Sequence, residues 1–352
     1  MKRPQLRTDR PASTRRRERG VALLLVLLII AVVATMQIET QYTTRIDAQI
    51  AANVALDTQF YYLAKSGIEA ARSLLTEDRR DNAFDATTET WAAPIAYPVD
   101  EALVSLSLVD EERKFPINAL IKRTTTPQQG GQPAQTETQV DEELYNVFTS
   151  LLESLEIPAE VAPALVDWLD PDDDPYGGDG AEINFYERLK PPYKTKNGPL
   201  STLDELRMVR GIDAKVFRVL ADLVTPYVTE PKININTAPK ELLTVLLPEA
   251  DSSLMDELIQ KRTDEPFQKP SEVGEYLKGF GASFPDERLA ALEKLFRTDS
   301  NHFTISSSAS LIPEGGDEED GNVVQAQNLK LLHAVVRRNN DGITELIYWR
   351  AT

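Results

Sequence analysis

A basic run that passes directly into an apolar stretch constrains this chain more than any other feature. Residues 1–20 contain eight Lys or Arg against Asp9 and Glu18, whereas the sixteen residues from Val21 to Met36 carry no charge. A full membrane span needs about 20 apolar residues, so this stretch is short, but the polar residues after Met36 can continue a helix out of a bilayer. The basic run predicts a cytoplasmic N-terminus and a body on the far side of the membrane.

These residues leave two outcomes open, a retained anchor and a cleaved secretory signal, because both begin with a basic and then an apolar segment. Val32-Val33-Ala34 would serve as a signal cleavage site. Residues 37–75, however, contain no proline, and apolar residues recur at helical spacing through this range. A discarded signal has no need of such a helix. We therefore predict a continuous N-terminal helix over 21–78, with its membrane part at 21–38.

The rest of the chain is strongly acidic. The net charge is −18 and residues 1–20 contribute +6, which leaves −24 for everything after Gly20. A body of this charge is not expected to bind nucleic acid or an anionic membrane surface, since phosphates bind basic groups.

The chain has no cysteine, so hydrophobic cores or a bound metal must stabilise an extracytoplasmic body. With two histidines and no phosphate-binding loop or nucleophile motif, we expect no enzymatic activity.

The sequence pattern of the body changes twice, from β-type to helical and back. Alternation in "LVSLSLV" and the turn residues "NNDG" between two β-rich runs predict an antiparallel sheet formed by residues 98–122 and 300–352. Residues 124–140, rich in Gln, Gly, Pro and Thr, are typical of a flexible linker. Helical periodicity then predicts two subdomains, 141–230 and 231–299. We predict an α+β fold in which the long N-terminal helix packs on the antiparallel sheet and a large all-α domain is inserted into it.

One loop of the insert, residues 167–184, concentrates acidic side chains. The string "VDWLDPDDDPYGGDGAEINFY" places seven carboxylates within sixteen residues. Oxygen ligands at the alternate positions Asp170, Asp172 and Asp174 are those that Ca²⁺ prefers, although Pro175 stands where an EF-hand needs glycine. On these residues alone, a calcium site and a merely solvated acidic loop remain equally open.

Two further strings resemble the helix-hairpin-helix repeats of DNA-binding proteins. They are "LDELRMVRGIDAKVFRVLADLV" and the segment that begins "ININTAPKELL". The second hairpin, residues 247–251, is acidic and lacks the glycine that would hold a phosphate. The simpler interpretation is structural, with Gly211 ending one helix and Thr237 capping another.

The basic leader that ends in glycine, the apolar stretch and the continuing helix resemble the N-terminus of type IV pilins and pseudopilins. With the helical insert, the resemblance is to the K-type minor pseudopilins of type II secretion systems, whose insert contains similar SAM-like modules. It implies that a prepilin peptidase removes residues 1–20 by cutting between Gly20 and Val21, and that Val21 is then N-methylated. Most members of the wider family carry glutamate at the fifth mature residue, where this chain has Leu25. K-type pseudopilins share that departure and are expected at the fibre tip.

The same resemblance implies a calcium-binding acidic loop and a defined set of partners. Expected ligands of one or two Ca²⁺ ions are Asp170, Asp172, Asp174 and Glu182, with Asp167, Asp179 and Asn184 as further candidates. Expected partners are minor pseudopilins I and J, the major pseudopilin, the prepilin peptidase, secreted substrates and the bacterial inner membrane, and no nucleic acid. The chain would have a periplasmic body, and it would start a fibre that exports proteins across the outer membrane. The alternatives are a membrane-anchored helix-hairpin-helix DNA-binding protein and a signal-cleaved periplasmic calcium-binding protein.

Overall fold

The computed structural model describes residues 14–126, 135–280, 284–312 and 330–352. It divides the chain into one unit that ends at Gln59 and a second that begins at Phe60. The helices, in chain order, are α1 (Thr14–Asp81), α2 (Glu142–Ser154), α3 (Val161–Leu169), α4 (Ile183–Tyr186), α5 (Ala214–Leu220), α6 (Lys240–Leu246), α7 (Ser252–Asp264), α8 (Pro270–Lys278) and α9 (Asp286–Leu295). The strands are β1 (Ile95–Val99), β2 (Ala102–Asp110), β3 (Phe115–Pro116), β4 (Ile121–Thr126), β5 (Gln135–Val140), β6 (Val224–Thr225), β7 (Ile233–Asn234), β8 (Phe296–Arg297), β9 (His302–Leu311), β10 (Lys330–Arg338) and β11 (Thr344–Ala351).

The first unit contains only the N-terminal part of α1 among the described residues. From Val21 to Met36 the apolar side chains are about half to two-thirds exposed, for example 54% at Leu25 and 64% at Met36. An 18-residue window of this helix has a mean hydropathy of 2.9, so within the described chain it is long and apolar enough to cross a bilayer. A helix whose apolar side chains face outward all round needs an apolar surrounding such as lipid or other helices.

The second unit is built on a five-stranded antiparallel sheet with the order β1-β2-β9-β10-β11. Strand β2 alternates as the sequence predicts, with its even-numbered residues Val104, Leu106 and Leu108 buried. The C-terminal part of α1 packs on this face, because a Cβ added to Gly67 would lie 2.7 Å from Leu106 Cδ2 and 2.3 Å from Ser307 Oγ. The sheet and the C-terminal part of α1 therefore form the predicted helix-on-sheet layer.

Gly67 allows the close contact between α1 and the sheet, and this gives a first testable expectation. In Gly67→Ala the gain of about 1 kcal/mol in helix propensity is outweighed by an overpacking cost of about 1–3 kcal/mol. We expect a net loss of up to about 2 kcal/mol in the free energy of unfolding, measured by urea denaturation of the detergent-solubilised chain. Gly274, in α8, is the matched control, because its added Cβ meets only the end of the exposed Glu293 side chain at 3.1 Å. Gly274→Ala should be neutral or stabilising; equal losses in both variants would contradict the packing argument.

The helical insert lies between β2 and β9, and two short parallel strand pairs close it into two subdomains. Phe115–Pro116 pairs with Val224–Thr225, and Ile233–Asn234 pairs with Phe296–Arg297. Each pair joins the start of a helical segment to its end, so the two helical segments are closed separately. In the first, the predicted apolar stripe of α2 is buried through Leu144, Phe148, Leu151 and Leu152.

A buried polar network attaches the insert to the sheet. Asn234 Nδ2 donates hydrogen bonds to Asp110 Oδ2 (3.1 Å), to Ser300 Oγ (2.9 Å) and to the backbone carbonyl of Asp85 (3.0 Å). Thr237 Oγ1 donates to the same Asp110 oxygen at 2.5 Å. Each of these groups has its partners within the network, which is the condition for burying polar groups without a large penalty.

The α+β architecture predicted from the sequence is confirmed, but several boundaries differ. Helix α1 ends at Asp81 rather than at residue 78, and β1 begins before residue 98. Residues 111–122 leave the main sheet and enter the insert. The prediction of a flexible linker at 124–140 is wrong at both ends, because β4 pairs with β5 in antiparallel register; residues 127–134 lie outside the described chain.

The capping role predicted for Thr237 is also wrong. Pro239 occupies the N-cap position of α6, and Thr237 instead belongs to the buried network. The Asn-Thr-Ala string therefore contributes to a buried contact between the insert and the sheet and does not cap helix α6. Its Thr237 side chain takes part in the attachment described above, whereas Asn236 Nδ2 donates to the backbone carbonyl of Phe267 at 2.8 Å, within the insert.

Candidate metal site

The acidic loop connects the buried helix α3 to the short helix α4. Asp167 lies in the last part of α3 and is fully buried, and its Oδ1 accepts a hydrogen bond from the backbone N–H of Tyr176 at 2.7 Å. This bond folds the loop back over the end of α3. Gly180 passes close to the same carboxylate, since a Cβ added there would lie 2.3 Å from Asp167 Oδ2 and 2.7 Å from the Tyr176 nitrogen. The loop thus has a close-packed frame at both ends.

Three carboxylates meet inside this frame. Asp170, Asp172 and Glu182 each offer an oxygen, and these oxygens all lie within 4.8 Å of one another. Calcium binds oxygen ligands at about 2.3–2.6 Å, so ligands on opposite sides of one ion are about 5 Å apart. The spacing of the three carboxylates therefore fits a single Ca²⁺ ion.

Two of these carboxylates, Asp170 and Glu182, are buried and have oxygens that accept no hydrogen bond from the described residues, whereas Asp172 is exposed. Asp170 is 9% exposed and Glu182 is 3% exposed. Within the described chain, no group donates a hydrogen bond to Asp170 Oδ1, to Asp167 Oδ2 or to either carboxylate oxygen of Glu182. Buried carboxylate oxygens are costly unless a hydrogen-bond donor or a cation satisfies them. The donor set thus fits a hard cation better than a solvated loop.

The electrostatics of the cluster lead to the same conclusion. Burial, reinforced by the charges of Asp172 and Asp167, raises the pKa of Asp170 to about 7. Burial and the neighbouring charges of Asp167 and Asp170 raise the pKa of Glu182 to about 8. Burial also raises the pKa of Asp167, although its backbone hydrogen bonds oppose the rise. A divalent cation would remove the repulsion that causes part of these shifts.

Three predicted ligands lie outside this group of oxygens. Asp174 is exposed, and its backbone N–H donates to Asp172 Oδ1 at 2.9 Å. Asp179 is exposed as well, and its backbone carbonyl accepts a hydrogen bond from Arg210 at 3.3 Å. Asn184 is exposed on α4. The first site therefore rests on Asp170, Asp172 and Glu182, with Asp167 beside them.

Two residues at the site were not singled out by the sequence. Arg123, on β4, donates to the backbone carbonyl of Leu169 at 2.6 Å, and its charge acts on Asp170. Asn197 donates to the backbone carbonyl of Asp172 at 2.8 Å. Both approach the acidic loop from distant parts of the chain. The Asn-Gly pair at 197–198 predicts a turn, but neither residue carries a local pattern that indicates this contact.

Comparison with known proteins places these features in a family. Residues 113–229 and 233–292 match the two family models described as "Type II secretion system (T2SS), protein K". A type II secretion system protein K from Pectobacterium carotovorum is 30% identical over 263 residues, which cover 70% of this chain and 76% of the relative. The chain belongs to the type II secretion system protein K family.

More distant members of the K family cover more of the chain. The protein K of Aeromonas hydrophila is 27% identical over 340 residues, covering 93% of this chain and 98% of the relative. A solved chain of the GspK-GspI-GspJ complex from enterotoxigenic Escherichia coli is similar in fold, with a TM-score of 0.65 and 21% identity. That likeness covers 84% of this chain and 96% of the solved one. The two K-family matches meet between residues 229 and 233, next to the strand pairs that close the two helical subdomains.

Proposed function

We propose that this chain is the K-type minor pseudopilin of a type II secretion system, anchored in the inner membrane by residues 21–38. Family membership is the observation that carries the proposal. The exposed apolar part of α1 supports a single-pass anchor, and the basic residues before it support a cytoplasmic N-terminus. The acidic body then lies in the periplasm, where the absence of cysteine makes a structural ion useful.

The chemistry of the N-terminus supports a position at the end of the fibre. In the pilin-like resemblance, a glutamate at the fifth mature position pairs with the N-terminal ammonium group of a neighbouring subunit. Leu25 cannot supply that carboxylate, whereas the ammonium group of Val21 could still pair with a neighbour's glutamate. A subunit that can make only one of the two contacts suits the first position, from which assembly begins.

The partners of the proposal are minor pseudopilins of the I and J types. The solved chain that this fold resembles is part of a GspK-GspI-GspJ complex. We extend that assembly to the present chain, so that the three subunits would form the tip and initiate the fibre that exports proteins across the outer membrane.

The acidic loop is proposed to hold calcium within this assembly. Asp170, Asp172 and Glu182 would ligate the ion, with Asp167 as a nearby fourth carboxylate. The bound ion would neutralise the cluster and link the end of α3 to the start of α4. Its role is structural, because binding to the folded form alone stabilises that form.

One purification tests the anchor, the processing and the partners together. The full-length chain with a C-terminal tag is extracted in detergent from cells that express its own secretion system. Intact mass spectrometry should show an N-terminus at N-methylated Val21, and the I-type and J-type subunits should copurify. In Gly20→Ala, residues 1–20 should remain attached and secretion should fall.

Each alternative function predicts a different result in the same preparation. A mature N-terminus near Thr35 would indicate a cleaved secretory signal and would contradict the pseudopilin proposal. A low-salt gel shift with duplex DNA should show no binding, because the described helical subdomains are part of a strongly acidic body. Binding there would favour the DNA-uptake alternative.

A further inference from the structure

The side chain of Asn197 joins the acidic loop to a lysine-rich loop, residues 190–200, that follows α4. Its Nδ2 donates to the backbone carbonyl of Asp172 at 2.8 Å and to Asp173 Oδ1 at 3.0 Å. Asp172 therefore offers its carboxylate to the candidate metal site and its backbone carbonyl to Asn197. One residue of the acidic loop thus takes part in both contacts.

The orientation of the Asn197 amide is fixed by its neighbours. If the amide were flipped, its oxygen would face a carbonyl and a carboxylate, and both of these are acceptors. The backbone supports the same placement, because Asn197 has a φ of +48°, a left-handed conformation that asparagine tolerates better than most residues. Next to it, Gly198 donates its N–H to the carbonyl of Trp168 at 3.2 Å. The loop is thus held against the end of α3 and the acidic loop at adjacent positions.

We infer that Asn197 is a positioning residue that couples calcium binding in the acidic loop to the order of the loop at 190–200. The inference rests on the calcium site proposed above. Without the ion, the carboxylates of Asp170, Asp172 and Glu182 repel one another, and the acidic loop spreads away from Asn197. With the ion, Asp172 is held in place and its carbonyl stays within reach of the amide. Because coupling of this kind is reciprocal, Asn197 must in turn raise the calcium affinity.

Limited proteolysis of the full chain in detergent measures this coupling directly. Trypsin can cut after Lys194 and after Lys196, and the Lys196 side chain is held at 2.5 Å by Glu205. In the unaltered chain, 1 mM Ca²⁺ should slow cleavage at both sites about tenfold relative to EGTA, since cleavage follows local opening. Asn197→Gly, which accepts the left-handed backbone without strain, should reduce this protection to less than about twofold even at saturating calcium.

Calcium titration by calorimetry is the second measurement. Asn197→Gly should weaken calcium affinity about tenfold, as expected for a residue that orients a ligand without touching the ion. Asn197→Asp should behave similarly, because it keeps the backbone preference and loses the donor. Asn339→Gly is the control: it removes turn bonds to Asp341 and Ile343 and should leave calcium affinity and protection unchanged.

The outcomes separate the coupling from the calcium site. If the unaltered chain shows no saturable calcium binding, both proposals fail. If it binds calcium while Asn197→Gly binds equally well and is equally protected, only the coupling is overturned. If affinity falls while the calcium-dependent protection persists, Asn197 positions the site but does not transmit binding to the loop, and the coupling is again overturned.

Discussion

Replacing Arg338 with methionine is expected to lower the free energy of unfolding of the body by about 3–5 kcal/mol, since it leaves buried carboxylates without their cation. For a domain of this size the melting temperature should fall by about 10 °C. Urea and thermal unfolding of the detergent-solubilised chain, followed by the fluorescence of the buried Trp91 and Trp168, would measure both quantities.

The expected size of the loss follows from how completely Arg338 is enclosed. Its side chain is 1% exposed, and its Nη2 donates to both oxygens of the fully buried Asp85 at 2.6 Å and to the carbonyl of Ser300 at 2.8 Å. Its Nη1 donates to Asp78 Oδ2 at 2.9 Å and to the carbonyl of Leu75 at 3.1 Å. One guanidinium therefore joins the last turns of α1, the loop after it and strand β10. Methionine can fill much of the volume but satisfies none of these acceptors.

The loss in Arg338→Met should depend on pH. Burial raises the pKa of Asp85, and the Arg338 guanidinium opposes that rise. Without the guanidinium, the carboxyl group titrates at still higher pH in the folded state. A raised folded-state pKa gives stability that is present at low pH and is lost as the pH rises through it. The folded-state pKa of Asp85 in the unaltered chain is about 8, so the stability difference between the two chains should be nearly constant from pH 5 to pH 7 and should widen only above about pH 8.

The neighbouring arginine supplies a matched control. Arg337 pairs with Glu345 at 2.7 Å, but the two side chains are 58% and 68% exposed. Exposed pairs contribute about 0–1 kcal/mol, so Arg337→Met should cost less than about 1 kcal/mol. If the two substitutions have the same effect, the buried network does not carry the stability assigned to it here.

Local patterns in the sequence predict much of this fold. The spacing of apolar residues after Ile46 predicts the long helix α1, and alternation at Val104, Leu106 and Leu108 predicts one buried face of β2. Both predictions succeed because a single periodicity extends over many residues. The turn at 339–342 is equally local, since Gly342 takes a φ of +80° between two paired strands.

The failures have a common cause, namely contacts between residues that are distant in sequence. Thr237 looks like a helix cap, yet its side chain reaches Asp110, more than a hundred positions earlier in the chain, as does the side chain of Asn234. The short parallel pairs, such as β3 with β6, are too brief to leave a periodic pattern. In the sequence these residues look like ordinary polar or apolar positions. Their structural role depends on which element the fold places beside them.

In the acidic loop too, the local sequence predicts part of the structure, and contacts between distant residues determine the rest. Its composition indicates a cation site, but alternate spacing favoured Asp174, which the structure leaves exposed outside the cluster. Glu182 joins Asp170 and Asp172 because the bond from Tyr176 to Asp167 folds the loop back on itself. Asn197 could not have been found from the loop's own sequence, since it lies beyond α4.

Removing calcium is expected to lower the melting temperature of the chain by about 10 °C. An ion present at 100 to 1,000 times its dissociation constant stabilises the folded state by about 2.7–4.1 kcal/mol. Thermal unfolding in EGTA, followed by readdition of excess Ca²⁺, would show the loss and its recovery. Magnesium should recover less of the lost melting temperature than calcium does, because Mg²⁺ requires a tighter octahedral shell of ligands and releases its bound water reluctantly.

Two neutralising substitutions distinguish the ion site from a general charge effect. Asp170→Asn removes a ligand and also relieves repulsion within the cluster, so the melting temperature in EGTA should be unchanged or higher while the response to calcium is lost. Asp179→Asn removes one charge from the same loop outside the cluster, and it should retain the full response. If Asp179→Asn loses the calcium response as Asp170→Asn does, the ion is bound by the loop's overall charge and not at the three-carboxylate site.

The calcium response should also increase with pH, and the direction follows from the shifted carboxyl groups. In the metal-free folded chain the pKa of Asp170 is about 7 and that of Glu182 about 8, well above their ordinary values. The stability contribution of such groups is present below their unfolded-state pKa and is lost as the pH rises through the folded-state pKa. Between pH 5.5 and pH 8 the metal-free chain should therefore become less stable.

Calcium needs the deprotonated carboxylates and cancels their repulsion, so the calcium-bound chain should not lose stability in this way. The difference in melting temperature between calcium and EGTA should accordingly be small at pH 5.5 and close to its full value at pH 8. Calcium binding near pH 7 should also release protons, and calorimetry in buffers of different ionisation enthalpy can count them.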